Sequence, residues 1–168
     1  MRFIIAILFS IGLAQPLWAQ NDEPIWPRIK ELSWMDLNHL TKQREIIDSL
    51  ARSELGRPVR GNKSDLELLQ RFVDRGLIPS HEIQDLQALG VILGDVYVQE
   101  YQLVWRSYED EKGYSRAVCV EGTTNCLFPI TMLSRRISGG LVPDVDEIYN
   151  NAVELIKPYF PERPFDGR

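Results

Sequence analysis

The spacing of hydrophobic positions along this chain changes near its middle. Leu37, Leu40, Ile47 and Ala51 recur at helical intervals, with Arg44 interrupting the stripe. Ser33 precedes them, Asp36 stands three residues on, and Gly56 follows Leu55. This predicts a helix from Ser33 to about Leu55, because a serine hydroxyl and an acidic side chain three residues later can satisfy each other's backbone amides. Ser64 and Glu67 repeat that signature ahead of Leu66, Leu69, Phe72 and Val73, and Gly76 predicts the stop. Ser80, after Pro79, predicts the start of a third helix running to about Gln102. Ile83, Leu86, Leu89, Leu93 and Val96 or Tyr97 form its expected apolar face. Residues 20–32 carry two prolines and read as an irregular lead-in anchored by Ile25 and Trp26, and residues 56–63 read as a loop.

Beyond Gln102 the period shortens to two. LVWRSYED (residues 103–110) alternates about Trp105, and Glu111-Lys112-Gly113 reads as a turn. Tyr114, Arg116, Val118 and Val120 then alternate with Ser115, Ala117, Cys119 and Glu121, and Leu127, Phe128 and Ile130 continue after a short polar break. Pro129 has no amide proton to give a ladder, so its strand is an edge or is ending there. TMLSRRIS (residues 131–138) predicts a short helix stopped by Gly139-Gly140. Asp144 or Asp146 caps a last helix to about Ile156, with Pro158 just beyond. Strands clustered between helices predict an α+β fold, a helical N-terminal half packed on a small antiparallel sheet with a C-terminal helix.

The first residues, MRFIIAILFSIGLAQPLWAQ, differ from all that follows. Arg2, an apolar run over residues 3–14, Pro16 and Ala19 have the layout of a secretory signal peptide cleaved after Ala19. The run is shorter than the roughly 20 residues a spanning helix needs. Residues 20–168 are then expected as a single α+β domain, periplasmic or secreted, with no integral membrane span. The whole chain has 19 basic and 24 acidic residues and a net charge of −5. Loss of Arg2 makes it one unit more acidic. That balance excludes a general nucleic-acid binder, which needs a concentrated positive face.

Export changes how the two cysteines are read. An even count in an oxidising compartment points to a disulfide. If Gly122-Thr123 are the central residues of a type II′ turn, Glu121 faces Thr124, Val120 faces Asn125, and Cys119 faces Cys126 within disulfide reach. Zinc would need two further ligands, and only His39 and His81 are available, far away in sequence. A redox pair usually has the tighter C-x-x-C spacing. The expectation is a Cys119–Cys126 disulfide, with no metal and no cofactor.

The remaining chemistry is sparse. There is no G-x-S-x-G, H-E-x-x-H or glycine-rich phosphate loop. Glu109-Asp110-Glu111 lacks the alternating ligands and glycine of a calcium loop and reads as a solvated turn. Gly90 and Gly94 share one helix face and predict tight packing against the sheet, or else a shallow groove. Arg135 and Arg136 lie near a helix end on directions about 100° apart, so one is expected to face the domain and the other solvent. They either satisfy the last carbonyls, which is the preferred reading, or join Arg116 in an anion clamp.

Leu89-Gly90-x-x-Leu93-Gly94, Leu103-Val104-Trp105, Arg116-Ala117-Val118, Leu127-Phe128-Pro129 and Ser134-Arg135-Arg136-Ile137 resemble, in that order, the bacterial "domain of unknown function 3806" family over about residues 80–150. The resemblance implies a small domain, often exported, with no established activity, and assigns no catalytic residue. The expected function is a non-catalytic binding or accessory module of the cell envelope. Its expected partner is an envelope protein, met through the sheet face or the strand edge near Pro129. The alternative is an envelope hydrolase using Glu109 or Asp110 near Arg116.

Overall fold

The computed structural model describes residues 26–161; the expected leader, its cut after Ala19, and Ile25 lie outside the described residues. Among the described residues, five α-helices and a four-stranded antiparallel sheet make an α+β fold. The elements run β1 (Arg28–Lys30), α1 (Trp34–Leu55), α2 (Asp65–Arg75), α3 (Ile83–Tyr101), β2 (Val104–Asp110), β3 (Gly113–Cys119), β4 (Cys126–Leu127), α4 (Ile130–Ser138) and α5 (Val145–Ile156).

Helix α1 starts and stops where its caps dictate. Ser33 accepts from the Asp36 amide, the Asp36 carboxylate accepts from the Ser33 amide, and Gly56 closes the helix in a left-handed conformation. Its buried stripe differs from the expected one. Leu37 is half exposed, and the stripe runs through Asp36, Leu40, Gln43, Ile47 and Ala51. Arg44 interrupts the apolar pattern because it reaches Asp95 of α3 with two hydrogen bonds, 2.6 and 2.7 Å long.

Helix α2 forms without the expected Ser64–Glu67 box. Ser64 already has helical torsions, and its hydroxyl donates to Asn62, whose side chain also accepts the Ser64 amide. Glu67 turns instead to Arg57 and Arg71. A local turn at Asn62 thus competes successfully for the serine. Helix α3 begins after Ser80, at Ile83, because the Glu82 amide bonds back to the Pro79 carbonyl and holds residues 80 and 81 in a turn.

The expected single apolar face of α3 is too narrow. Leu86, Ala88, Leu89, Val91, Ile92, Leu93, Val96 and Tyr97 are all buried, whereas Ile83 is partly exposed. A helix apolar around its circumference belongs at the centre of a domain. The other elements pack around it, and one buried cluster joins side chains from α1 through α5.

The sheet order is β1-β2-β3-β4. The lead-in was expected to be irregular, but Arg28, Ile29 and Lys30 pair with Glu109, Tyr108 and Ser107 as an edge strand. Three residues are too few for a period to show. Cys119 pairs with Cys126, and the two form a disulfide with Cα atoms 4.0 Å apart. The neighbouring Val120 amide donates to the Asn125 carbonyl, leaving the cysteines at a non-hydrogen-bonded pair, where side chains approach most closely.

The turn beside them is not type II′. The Thr123 amide donates to the Val120 carbonyl, so Glu121 and Gly122 are the central residues, and Gly122, at φ +75°, takes the third position. The cysteine register survives because the Val120–Asn125 bond fixes it. As Pro129 implied, strand β4 is an edge strand and ends there, at Leu127; Pro129 itself is buried as the residue before α4. Asp144, rather than Asp146, caps α5 by accepting the Glu147 amide.

Candidate functional site

The site is assembled around Arg116. On β3 it lies opposite Ser107, on the same side as Trp105, whose ring meets α3 at Gly94. Arg116 Nε donates to Asp36 Oδ1 at 2.8 Å, and Asp36 Oδ2 accepts from the Ser33 amide and hydroxyl. The acidic half of the α1 capping box is therefore also the counter-ion of a sheet arginine. Burial pushes the Asp36 carboxyl upward, but the Ser33 donors, the neighbouring Tyr114 hydroxyl and the Arg116 charge outweigh it and hold the group below its ordinary value. One turn further along α1, His39 is shifted downward, by partial burial first and then by the Arg116 charge.

Two clefts flank the Arg116–Tyr114 pair. One, about 550 Å³, is bounded by Lys30, Glu31, Asp36 and Arg116, so its charges balance. The other, about 470 Å³, is lined by Lys112 of the β2–β3 turn, Arg116 of β3, and Ile130, Thr131 and Arg135 of α4, with Phe128 leading in. Gln87, Tyr114 and Ser115 complete it, and no carboxylate is among its lining side chains. Neither Lys112 nor Arg135 has a carboxylate within ion-pair distance among the described residues. In the acidic turn beside Lys112, Asp110 accepts the Lys112 backbone amide.

Two glycines put α4 in place. A Cβ on Gly90 would overlap the Pro129 carbonyl oxygen and the Ile130 Cα, and one on Gly94 would overlap the Trp105 ring. Their absence lets the first turn of α4 lie directly on α3 while Trp105 fills the next gap. The tight-packing expectation is met, against α4 as well as the sheet. Thr131 and Arg135, four residues apart, then share the α4 face that borders the cleft.

Arg135 and Arg136 were expected to divide between domain and solvent, but both are exposed. They divide by direction instead. Arg135 borders the cleft with Arg116, whereas Arg136 donates to the Met132 carbonyl of its own helix and borders a separate α4–α5 cleft containing Asp144 and Glu147. Neither arginine side chain satisfies a last carbonyl, as the preferred reading expected: Met132 lies in the first turn of α4, and the carbonyls of Arg135, Arg136 and Ile137 accept from the amides of Gly139, Leu141 and Gly140.

The other chemical candidates do not meet here. Glu109 pairs with Arg28 at 3.4 Å, and neither it nor Asp110 lines a cleft with Arg116. His81 is exposed beside Glu82 and lines neither cleft. Among the described residues no cluster of three metal-ligating side chains occurs, and no helix is long and apolar enough to cross a membrane. Sequence reasoning found Arg116 and Arg135 but not Lys112, which looked like turn punctuation, nor Asp36 as the anchor. The Asp36 signal was legible as a cap, and nothing local showed that one carboxylate serves two elements.

No curated protein matches this sequence. The fold is similar to a crystal structure from Bacteroides thetaiotaomicron, with a TM-score of 0.68 at 18% identity, covering 76% of this chain and 47% of that one. This chain thus spans about half the length of that neighbour, and the likeness at such identity shows the fold alone. Residues 65–149 match the domain of unknown function DUF3806 from the start of α2 into α5, taking in Gly90, Arg116, the disulfide and both α4 arginines, and the chain belongs to that family.

Proposed function

We propose that the protein is an exported, non-catalytic binding or accessory module of the bacterial cell envelope, folded as a single domain after its leader is removed. Its binding surface is the cleft between β3 and α4. The observation that carries this reading is the meeting of Lys112 and Arg116 of the β2–β3 hairpin with Arg135 of α4 around one concavity, with no lining carboxylate. The leader pattern and the Cys119–Cys126 disulfide support an oxidising compartment. The hydrolase alternative gains little from Asp36, the carboxylate that touches Arg116. It is buried and held ionised, so it has no proton to donate at neutral pH.

The test is a photo-crosslinking amino acid placed at Ser115, in the cleft, and separately at Leu155, exposed on α5. In the native host, a defined envelope product is expected from position 115 and not from 155. The same product from both positions, or from 155 alone, would remove the cleft as the binding surface.

A further inference from the structure

The cleft's charge specifies what it takes. In a chain with more acidic than basic residues, three cations converge on one concavity with no lining carboxylate, while the neighbouring cleft and the α4–α5 cleft mix both signs. Arg116 is partly committed, since its Nε donates to Asp36; the described structure shows no protein acceptor for its terminal nitrogens. With Asp36 paired to Arg116, Lys112 and Arg135 add two positive charges that no carboxylate of the cleft's own lining offsets. Side chains of like charge gathered in a concave site repel one another until an anion enters, and cations that carry no internal partner lose none by binding one.

The size and walls narrow the choice. A volume of about 470 Å³ suits a small molecule or one chemical group of a larger one. Phe128 and Ile130 supply an apolar wall, and Thr131, Ser115 and Gln87 supply neutral hydrogen-bonding groups. Resting on the cleft as binding surface, we propose that it binds a compact dianion, a phosphomonoester or a pair of adjacent carboxylates, carried on an apolar body that lies against Phe128 and Ile130. Arg116, held by Asp36, is the fixed arm, and its remaining nitrogens suit planar recognition of an oxyanion. Lys112 and Arg135 are the movable arms and close on the second charge.

The test titrates the disulfide-intact protein with phenyl phosphate and phthalate, using amide chemical shifts to locate binding. Saturable binding of at least one of them is expected, with shifts at residues 112–116 and 128–135. The methyl ester of phenyl phosphate and benzoate, each singly charged, should bind about tenfold more weakly or worse. Preference for phenyl phosphate identifies the phosphomonoester, and preference for phthalate the paired carboxylates. Lys112→Gln and Arg135→Gln should each weaken binding about tenfold. Both positions are exposed and without ion-pair partners among the described residues, so a melting curve unchanged from wild type will confirm that the fold is intact. Arg136→Gln, on the other side of α4, should change nothing.

Equal affinity for mono- and dianions, or equal loss in Arg136→Gln and Arg135→Gln, would overturn the proposal, as would no saturation by either dianion up to about 10 mM. If Ser115 still yields its envelope crosslink in that case, the binding surface stands and only the dianion falls.

Discussion

Asp36→Ala removes two interactions through one side chain, and its cost can be worked from the structure. Asp36 is 5% exposed and forms one half of the α1 capping box, and loss of such a cap costs about 1 kcal/mol. It also accepts from Arg116 at 2.8 Å, and a hydrogen bond to a charged group contributes about 1.5–3 kcal/mol. The Arg116 side chain retains a quarter of its exposure, so water recovers part of the loss and the lower half of that range applies. The expected total is about 2.5–3 kcal/mol at pH 7. Urea unfolding followed by far-ultraviolet circular dichroism reads this as a lower midpoint at unchanged slope.

The pH dependence adds a second check. A carboxyl whose folded value lies below its unfolded one contributes stability above the unfolded value, and that stability fades as pH falls through the folded value. The difference between wild type and Asp36→Ala should therefore be full at neutral pH and shrink below about pH 4. A cycle with Arg116→Ala should show a coupling of about 0.5–2 kcal/mol. A loss under about 0.5 kcal/mol, or one that does not change with pH, would refute the view that this carboxylate ties α1 to the sheet.

Other expectations follow from single contacts. Gly90→Ala should destabilise by about 1–3 kcal/mol despite alanine's better helix propensity, because the clashing atoms are backbone and cannot rotate away; a variant as stable as wild type in urea would mean α4 does not lie so close. Replacing Cys119 and Cys126 together by serine should cost about 2–3 kcal/mol, since the loop closed is short; loss of all native circular dichroism at 25 °C would show that the helical core is not self-sufficient. Arg136→Ala should cost under about 1 kcal/mol, for it only meets a carbonyl of its own exposed helix, and thermal melting measures this. Mass spectrometry of protein from the native host should find Gln20, or a residue within a few of it, at the N-terminus, whereas an intact Met1 start would remove the export premise.

What could be read from the sequence alone was local. The caps at Ser33 and Asp144, the stops at Gly56 and Gly76, the two long strands and the Cys119–Cys126 pairing each depend on residues close together in the chain, so their signals can be read from a short window. Even there, a nearer competitor prevailed where two local interactions shared a group, as Asn62 took the Ser64 hydroxyl. The tertiary structure decided the rest. Strand β1 exists because the Val104–Asp110 strand offers it a ladder more than 70 residues away, and α3 is buried all round because every other layer packs on it. The site belongs to this second kind. Asp36 and Arg116 are 80 residues apart, and Arg135 of α4 joins Lys112 and Arg116 of the β2–β3 hairpin. Arg135 reaches the hairpin's Lys112 and Arg116 because two missing Cβ atoms on α3 let α4 and Trp105 settle against it, so the cleft is a consequence of how closely the layers approach, which periodicity does not encode.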